Sequence, residues 1–299
     1  MTKYTKLVKD VTAFIEATDN EILRDNSNKA STEVTTHRDL LAGILSKQIF
    51  IYDILPKDLS EWHLSGHGHI HDADYALSPL TNCQLINYPD MLDNGFCIGD
   101  ARIESPRSIG VACTVLTQII QSVSSSQYGG QTISHMDRYL AKYVQISYDK
   151  LLAKHIKYSL PDRYVEDSIR AEVKDAMQCF IYQVNSLCTT SGQTPFVTIS
   201  LGLDTTRWGR MITEEYLNCH MEGLGKDHII PMFPKVVFVL EEGTNMNKED
   251  VNYDLKKLSI KCSSTSIYPD YMSAPLVKEV TGVYSDVVSP MGKLALLPI

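Results

Sequence analysis

The sequence predicts an α/β fold built on a parallel sheet or barrel. Two continuous apolar runs carry that expectation, "FVTISL" (196–201) and "KVVFVLEEG" (235–243). Such β-rich runs suit strands buried on both faces. Helical patterns of twenty or more residues lie between such runs and fit the crossovers that parallel strands need. With 43% hydrophobic residues, the 299-residue chain can fill the core of one large domain or two smaller ones.

Each element has its own signal. The N-terminal "MTKYTKLVKDVTAFIEATDN" has helical spacing but lacks the unbroken apolar stretch of a signal peptide, and no later run approaches a membrane span. A cytoplasmic protein without a membrane partner is expected. "THRDLLAGILSKQIF" (36–50) reads as a helix capped by Thr36. In "ESPRSIGVACTVLTQIIQSVSSSQYGG" (104–130), Ser105 can cap a helix, Pro106 suits its first position and Gly129-Gly130 ends the run. Its apolar face would hold Ile109, Cys113, Leu116 and Ile120, with Gln118 and Gln121 elsewhere. "VEDSIRAEVKDAMQCFIYQVNSLCTTSG" (165–192) reads as a long helix leading through Gly192 and Pro195 into the first apolar strand. No repeat, low-complexity segment or Gly/Ser linker marks a domain boundary.

Charge and cysteine content narrow the chemistry. A net charge of −8 without any Lys/Arg block argues against nucleic acid as a direct partner. The seven cysteines form no CxxC pair, which argues against a disulfide framework and against a structural zinc knuckle. Reduced thiols are expected, most of them buried; Cys113 and Cys179 fall where apolar helix faces would hold them.

The densest chemistry lies in "HGHIHDADYALSPLTNC" (67–83). On a strand, His67, His69 and His71 would point to one side and could converge on a metal, with Asp72 and Asp74 as supporting partners. Gly66 and Gly68 loosen the approach to such a strand, and loop histidines are mostly inert. Cys83 then opens a short apolar strand, where it is either a packed core thiol or a thiol facing an enclosed cavity. In "NSLCTTSGQTPFVTIS", backbone amides and the side chains of Ser191, Gln193 and Thr194 can hold a phosphate, or form an ordinary polar turn.

Taken together, "HIHDADY", "TNCQLINYPDMLDNGF", "IESPRSIGVA", "SQYGGQT", "SGQTPFVTI", "FPKVVF", "YPD" and "SPMG" occur in the order found in class III anaerobic ribonucleoside-triphosphate reductases, oxygen-sensitive glycyl radical enzymes. The resemblance runs from Asn26 to Gly292. It implies the first part of a ten-stranded α/β barrel, incomplete at the C-terminus, with residues 1–31 as a helical arm and 32–299 as the N-terminal portion of the catalytic domain. In this family a glycyl radical near the C-terminus is installed by an iron–sulfur, S-adenosylmethionine-dependent activase. It generates a cysteine thiyl in a finger loop, the thiyl takes the ribose 3′ hydrogen, water leaves from C2′, and formate supplies the reducing equivalents.

The resemblance assigns roles residue by residue. Cys83 matches the family's first-strand cysteine, which delivers a hydrogen to the substrate from the opposite face; a weak, polarizable S–H bond can do this and a serine O–H cannot. The histidine segment becomes a wall of the ribonucleoside triphosphate cavity rather than a metal site, with His69, His71 and Asn82, and then Ser191, Gln193 and Thr194, as substrate contacts. The helix from Ser105 would line a homodimer interface where a dNTP or ATP effector binds, with Glu104 and Gln118 as contacts. No ATP-cone is expected before "NSNK". Lys293 stands where the family continues toward the radical cysteine, so the chain as given is expected to hold no cofactor or radical of its own and to be inactive without a complementary C-terminal polypeptide. Two other functions remain open at the sequence level: a catalytically inactive nucleotide-binding dimeric fragment, and a metal-dependent hydrolase using the histidines.

Overall fold

The computed structural model describes residues 3–16, 34–127, 129–189 and 194–282. The chain divides into two compact units, Met1–Thr81 with Cys188–Thr194, and Asn82–Leu187 with Pro195–Ile299. The boundary expected at 31/32 falls outside the described residues.

The first unit is helical. It comprises α1 (Lys3–Glu16), α2 (Val34–Ile49), a π-helical turn (Phe50–Ile54), α3 (Lys57–Leu64) and a 3-10 turn (Ala73–Tyr75). Helix α1 lies on α2 through Phe14, which is buried with its ring 5.6 Å from that of His37, and through a 2.8 Å bond from Gln48 Nε2 to Asp10 Oδ2. Thr36 is not the cap of α2. The helix already runs at Val34, and Thr36 is buried within its first turn.

The second unit carries the sheet. In chain order it contains β1 (Gln84–Leu85), α4 (Tyr88–Asn94), a hairpin of β2 (Phe96–Ile98) and β3 (Ala101–Ile103), α5 (Ile109–Ser124), β4 (Gln131–Ile133), α6 (Met136–Tyr158), α7 (Asp162–Ser186), β5 (Val197–Leu201), α8 (Arg207–Glu222), β6 (Lys235–Leu240), α9 (Tyr253–Ser266), β7 (Asp270–Ser273) and α10 (Ala274–Thr281). Five strands form one sheet in the order β1-β4-β5-β6-β7, every pair parallel. The expected α/β class is therefore present, with helical crossovers between successive strands. All of β5, including the polar Thr198 and Ser200, and the middle four residues of the apolar β6 run are buried.

Helix α5 is the central core helix. Ile109, Cys113, Leu116 and Ile120 are all buried, as their spacing predicts, and they pack in one cluster with Phe180 of α7, Ile199 of β5 and Tyr216 of α8. Its start differs from expectation. Ser108, not Ser105, is the cap: its hydroxyl accepts from Val111 N at 3.2 Å, because a capping oxygen reaches only the amides two or three residues ahead. Pro106 consequently precedes the helix. The helix also ends at Ser124, short of Gly129. Cys113 is buried as expected but Cys179 is exposed. On α7 the core stripe includes Val173, Ala176, Met177, Phe180, Ile181 and Val184, so the core lies on the Ile181 side of Phe180, and Cys179, turned about 100° the other way, faces out.

Candidate functional site

The N-terminal ends of the parallel strands form a row. Gln84 pairs with Gln131 and Gln131 with Val197, so one residue earlier Cys83, Gly130 and Phe196 lie side by side. Backbone bonds fix the row: Gln84 N donates to Gly130 O at 3.0 Å, Gln131 N to Phe196 O at 2.8 Å, and Ile86 N to Thr132 O at 3.2 Å. The pairing of Thr198 with Lys235 extends it to Phe233, whose ring meets that of Phe196 edge-on at 5.1 Å. Asn185, at the end of α7, clamps Phe233 by accepting from its N at 3.3 Å and donating to its carbonyl. Tyr88 OH donates to Ser134 O at 2.8 Å and ties α4 to the far end of β4.

Cys83 stands immediately before β1, half-buried and free of any disulfide. Its Sγ donates to Asn82 Oδ1 at 3.3 Å, and Asn82 itself is exposed. Gly129 lies against Asn82, and a side chain there would overlap both the carbonyl and the carboxamide oxygen of that residue. Sequence reasoning used Gly129 only as a helix terminator and passed over Asn185 and the two phenylalanines; the "SQYGG" and "FPKVVF" motifs were the available signals.

The histidines lie in the first unit on turns, not on a strand. Gly66 has φ +78° and Asp72 has φ +55°, both incompatible with an extended run, and the intervening segment folds back on α3. Ile70 N donates to His63 Nδ1 at 3.2 Å, Gly68 rests on the Trp62 indole where any side chain would clash, and Ser65 Oγ meets His67 Nδ1 at 2.7 Å. The resulting stack runs His63–His69–His71, with ring centroids 5.5 and 6.1 Å apart, and His71 pairs with Asp72. His69 and His71 are exposed. Alternate spacing thus does not converge His67, His69 and His71, and among the described residues no group of three or more His, Cys, Asp or Glu is placed to hold a metal ion.

Of the remaining sequence-selected residues, Ser191 and Gln193 lie outside the described residues, and Thr194 is half-buried directly before Pro195. Glu104 follows β3 and Gln118 lies on the exposed stripe of α5; both are solvent-exposed.

A second polar cluster sits at the opposite ends of the strands. Asp137 is fully buried at the start of α6 and accepts from Gly202 N at 2.8 Å, Arg138 N at 2.9 Å and Thr213 Oγ1 at 3.2 Å. Burial raises its pKa, against the lowering effect of those amides. Asn245 and Asn252 donate to Gly202 O at 3.0 and 3.1 Å, so the turn after β5 is held from both sides. This cluster braces the sheet.

Comparison with known proteins identifies the kind of molecule this is. The profile of the anaerobic ribonucleoside-triphosphate reductase family matches residues 25–293. The chain belongs to that family. It is 44% identical over 293 residues to the anaerobic ribonucleoside-triphosphate reductase of Haemophilus influenzae, covering 97% of this chain and 41% of that protein. The reductase of Enterobacteria phage T4 is 42% identical, with 97% and 48% covered, and that of Escherichia coli K12 is 40% identical, with 99% and 42% covered. The chain therefore spans less than half the length of these relatives.

Solved reductases share the fold. The Thermotoga maritima anaerobic ribonucleotide reductase with citrate in its active site superposes with a TM-score of 0.60 at 13% identity, over 90% of this chain and 49% of that one. The same enzyme in complex with dATP and CTP gives 0.57 at 11% identity, over 93% and 51%. The five-stranded parallel sheet is thus part of the reductase α/β barrel. Among the described residues no helix is long and apolar enough to cross a membrane.

Proposed function

We propose that this chain is the N-terminal portion of an anaerobic ribonucleoside-triphosphate reductase and furnishes the hydrogen-donor side of its active site. The observation that carries the reading is Cys83: a free, half-buried thiol at the head of an edge strand, in a chain matched to the family over residues 25–293. The initiating radical belongs to a portion of the reductase beyond this chain, installed by an iron–sulfur activase, and supplies the thiyl that removes the ribose 3′ hydrogen. Cys83 then donates its hydrogen atom to C2′ after the hydroxyl has left as water. Formate, oxidised to carbon dioxide, supplies the two electrons of the net reduction.

On this reading His69, His71, Asn82, Ser191, Gln193 and Thr194 contact the ribonucleoside triphosphate. A dNTP or ATP effector binds near Glu104 and Gln118 between the subunits of a homodimer. The relative solved with dATP and CTP supports nucleotide binding by both substrate and effector sites.

The test is complementation. The chain is combined with a polypeptide carrying the rest of a family reductase, the activase and formate, and deoxynucleotide formation is measured. Cys83→Ala should abolish turnover while CTP binding persists, whereas substantial turnover by that variant would sink the donor role. A wild-type chain that binds dNTP but never supports reduction would instead be a nucleotide-binding dimer without catalysis.

A further inference from the structure

We propose that Asn82 is the positioning residue for the Cys83 S–H, and that Gly129 lacks a side chain in order to seat it. The inference rests on the reading of Cys83 as a hydrogen donor. A thiol hydrogen rotates freely about the Cβ–Sγ bond, yet hydrogen-atom transfer to a carbon needs it on one defined line. The 3.3 Å contact from Sγ to Asn82 Oδ1 holds the resting hydrogen in one rotor position and fixes Sγ, from which the hydrogen swings onto the line to C2′ when substrate is bound. A carboxamide oxygen is neutral, so it orients the S–H without removing its proton.

Asn82 is itself fixed from behind. A methyl group on Gly129 would lie 2.9 Å from the Asn82 carbonyl carbon and would overlap both oxygens of that residue. Two of these three atoms are backbone, so no side-chain rotation relieves the clash. Gly129 is in turn anchored by buried Gln127, whose Nε2 donates to Gly129 O at 3.1 Å. The next residue, Gly130, accepts from Gln84 N at 3.0 Å. The two glycines therefore hold the residues on either side of Cys83, one by contact with Asn82 and the other by bonding Gln84. The carboxamide nitrogen of Asn82 remains able to donate to a substrate.

Infrared spectroscopy of the S–H stretch in the 299-residue chain tests this without any turnover. Subtracting the spectrum of Cys83→Ala isolates one thiol from the seven. The Cys83 band should be red-shifted by its hydrogen bond, should return to the free-thiol position in Asn82→Ala and Gly129→Ala, and should stay red-shifted in Asn82→Asp, which keeps the oxygen. In the complemented enzyme Asn82→Ala should lower kcat about tenfold, the scale of one lost orienting hydrogen bond, beyond any rise in KM from the lost substrate contact. Asn82 is exposed, so its truncation leaves the fold intact even where Gly129→Ala does not. A band unmoved by Asn82→Ala, or a raised KM with kcat intact, overturns the proposal. The spectral result is independent of whether Cys83→Ala abolishes turnover, so failure here and failure of the donor reading are distinguishable.

Discussion

Acidification should destabilise the sheet unit through one side chain, His220. This residue of α8 is fully buried, its Nδ1 lies 3.9 Å from Cys262 Sγ, and its Nε2 makes no hydrogen bond among the described residues. Tyr216 and Tyr268 flank its ring, with centroids at 6.2 and 6.4 Å. Removal from water, with no nearby carboxylate to compensate, pushes the imidazole down from 6.5 to about 4. The folded-state value lies below the unfolded one, so the unfolded chain takes up the proton first as pH falls. Stability from this group is complete above 6.5 and is lost progressively down to about 4. The full effect is about 3 kcal/mol, of which about 2 kcal/mol should disappear between pH 7 and pH 5. Urea unfolding of the wild-type chain and of His220→Phe at both pH values isolates it, because every other titrating group is common to the two. The wild type should lose about 2 kcal/mol more than the variant. Equal losses would show that His220 is hydrated or paired in the native state, and the reasoning would fail.

Three further outcomes follow from packing, capping and the effector reading. Phe180→Ala opens a cavity at the centre of the α5–α7–α8 cluster and should cost about 3–5 kcal/mol in chemical denaturation. Ser108→Ala removes the oxygen that accepts from Val111 N and should cost about 1 kcal/mol, more than Ser105→Ala, whose hydroxyl bonds Tyr143 rather than a helix amide. On the proposed effector reading, isothermal calorimetry with dATP should show binding that weakens in Glu104→Ala and Gln118→Ala; unchanged affinity in both variants would remove these residues from the proposed effector site.

Much of the scaffold was legible because its signals are long. The buried stripe of α5 repeats over four turns and the β6 run is unbroken, so burial and element type follow directly from residue order there, whereas β5 buries Thr198 and Ser200 despite its alternating pattern. The failures are local. Ser105 and Ser108 carry the same capping chemistry, and only the position where the chain begins to coil decides between them. Cys179 sits beside the core residue Phe180, where a single step of rotation separates inside from outside. The histidine segment has strand-like spacing, but Gly66 and Asp72 take up left-handed backbone conformations that a pattern of residue types does not encode. The pairing of Gly129 with Asn82 joins residues 47 positions apart, visible only once β1 lies beside β4.

Strand β1 is two residues long and occupies one edge of the sheet, joined to β4 chiefly by the bonds from Gln84 and Ile86. Among the described strands, the thiol proposed to act on substrate thus stands at the margin of the sheet rather than on its middle strands. In this chain by itself, opening that margin breaks few backbone bonds, so its free energy lies below that of unfolding the sheet. Chemistry and foldedness are consequently separable here. A molecule can keep its complete core, pass every test of global structure, and still have its donor out of alignment, with amide exchange at Gln84 and Ile86 as the earliest reporter of the loss.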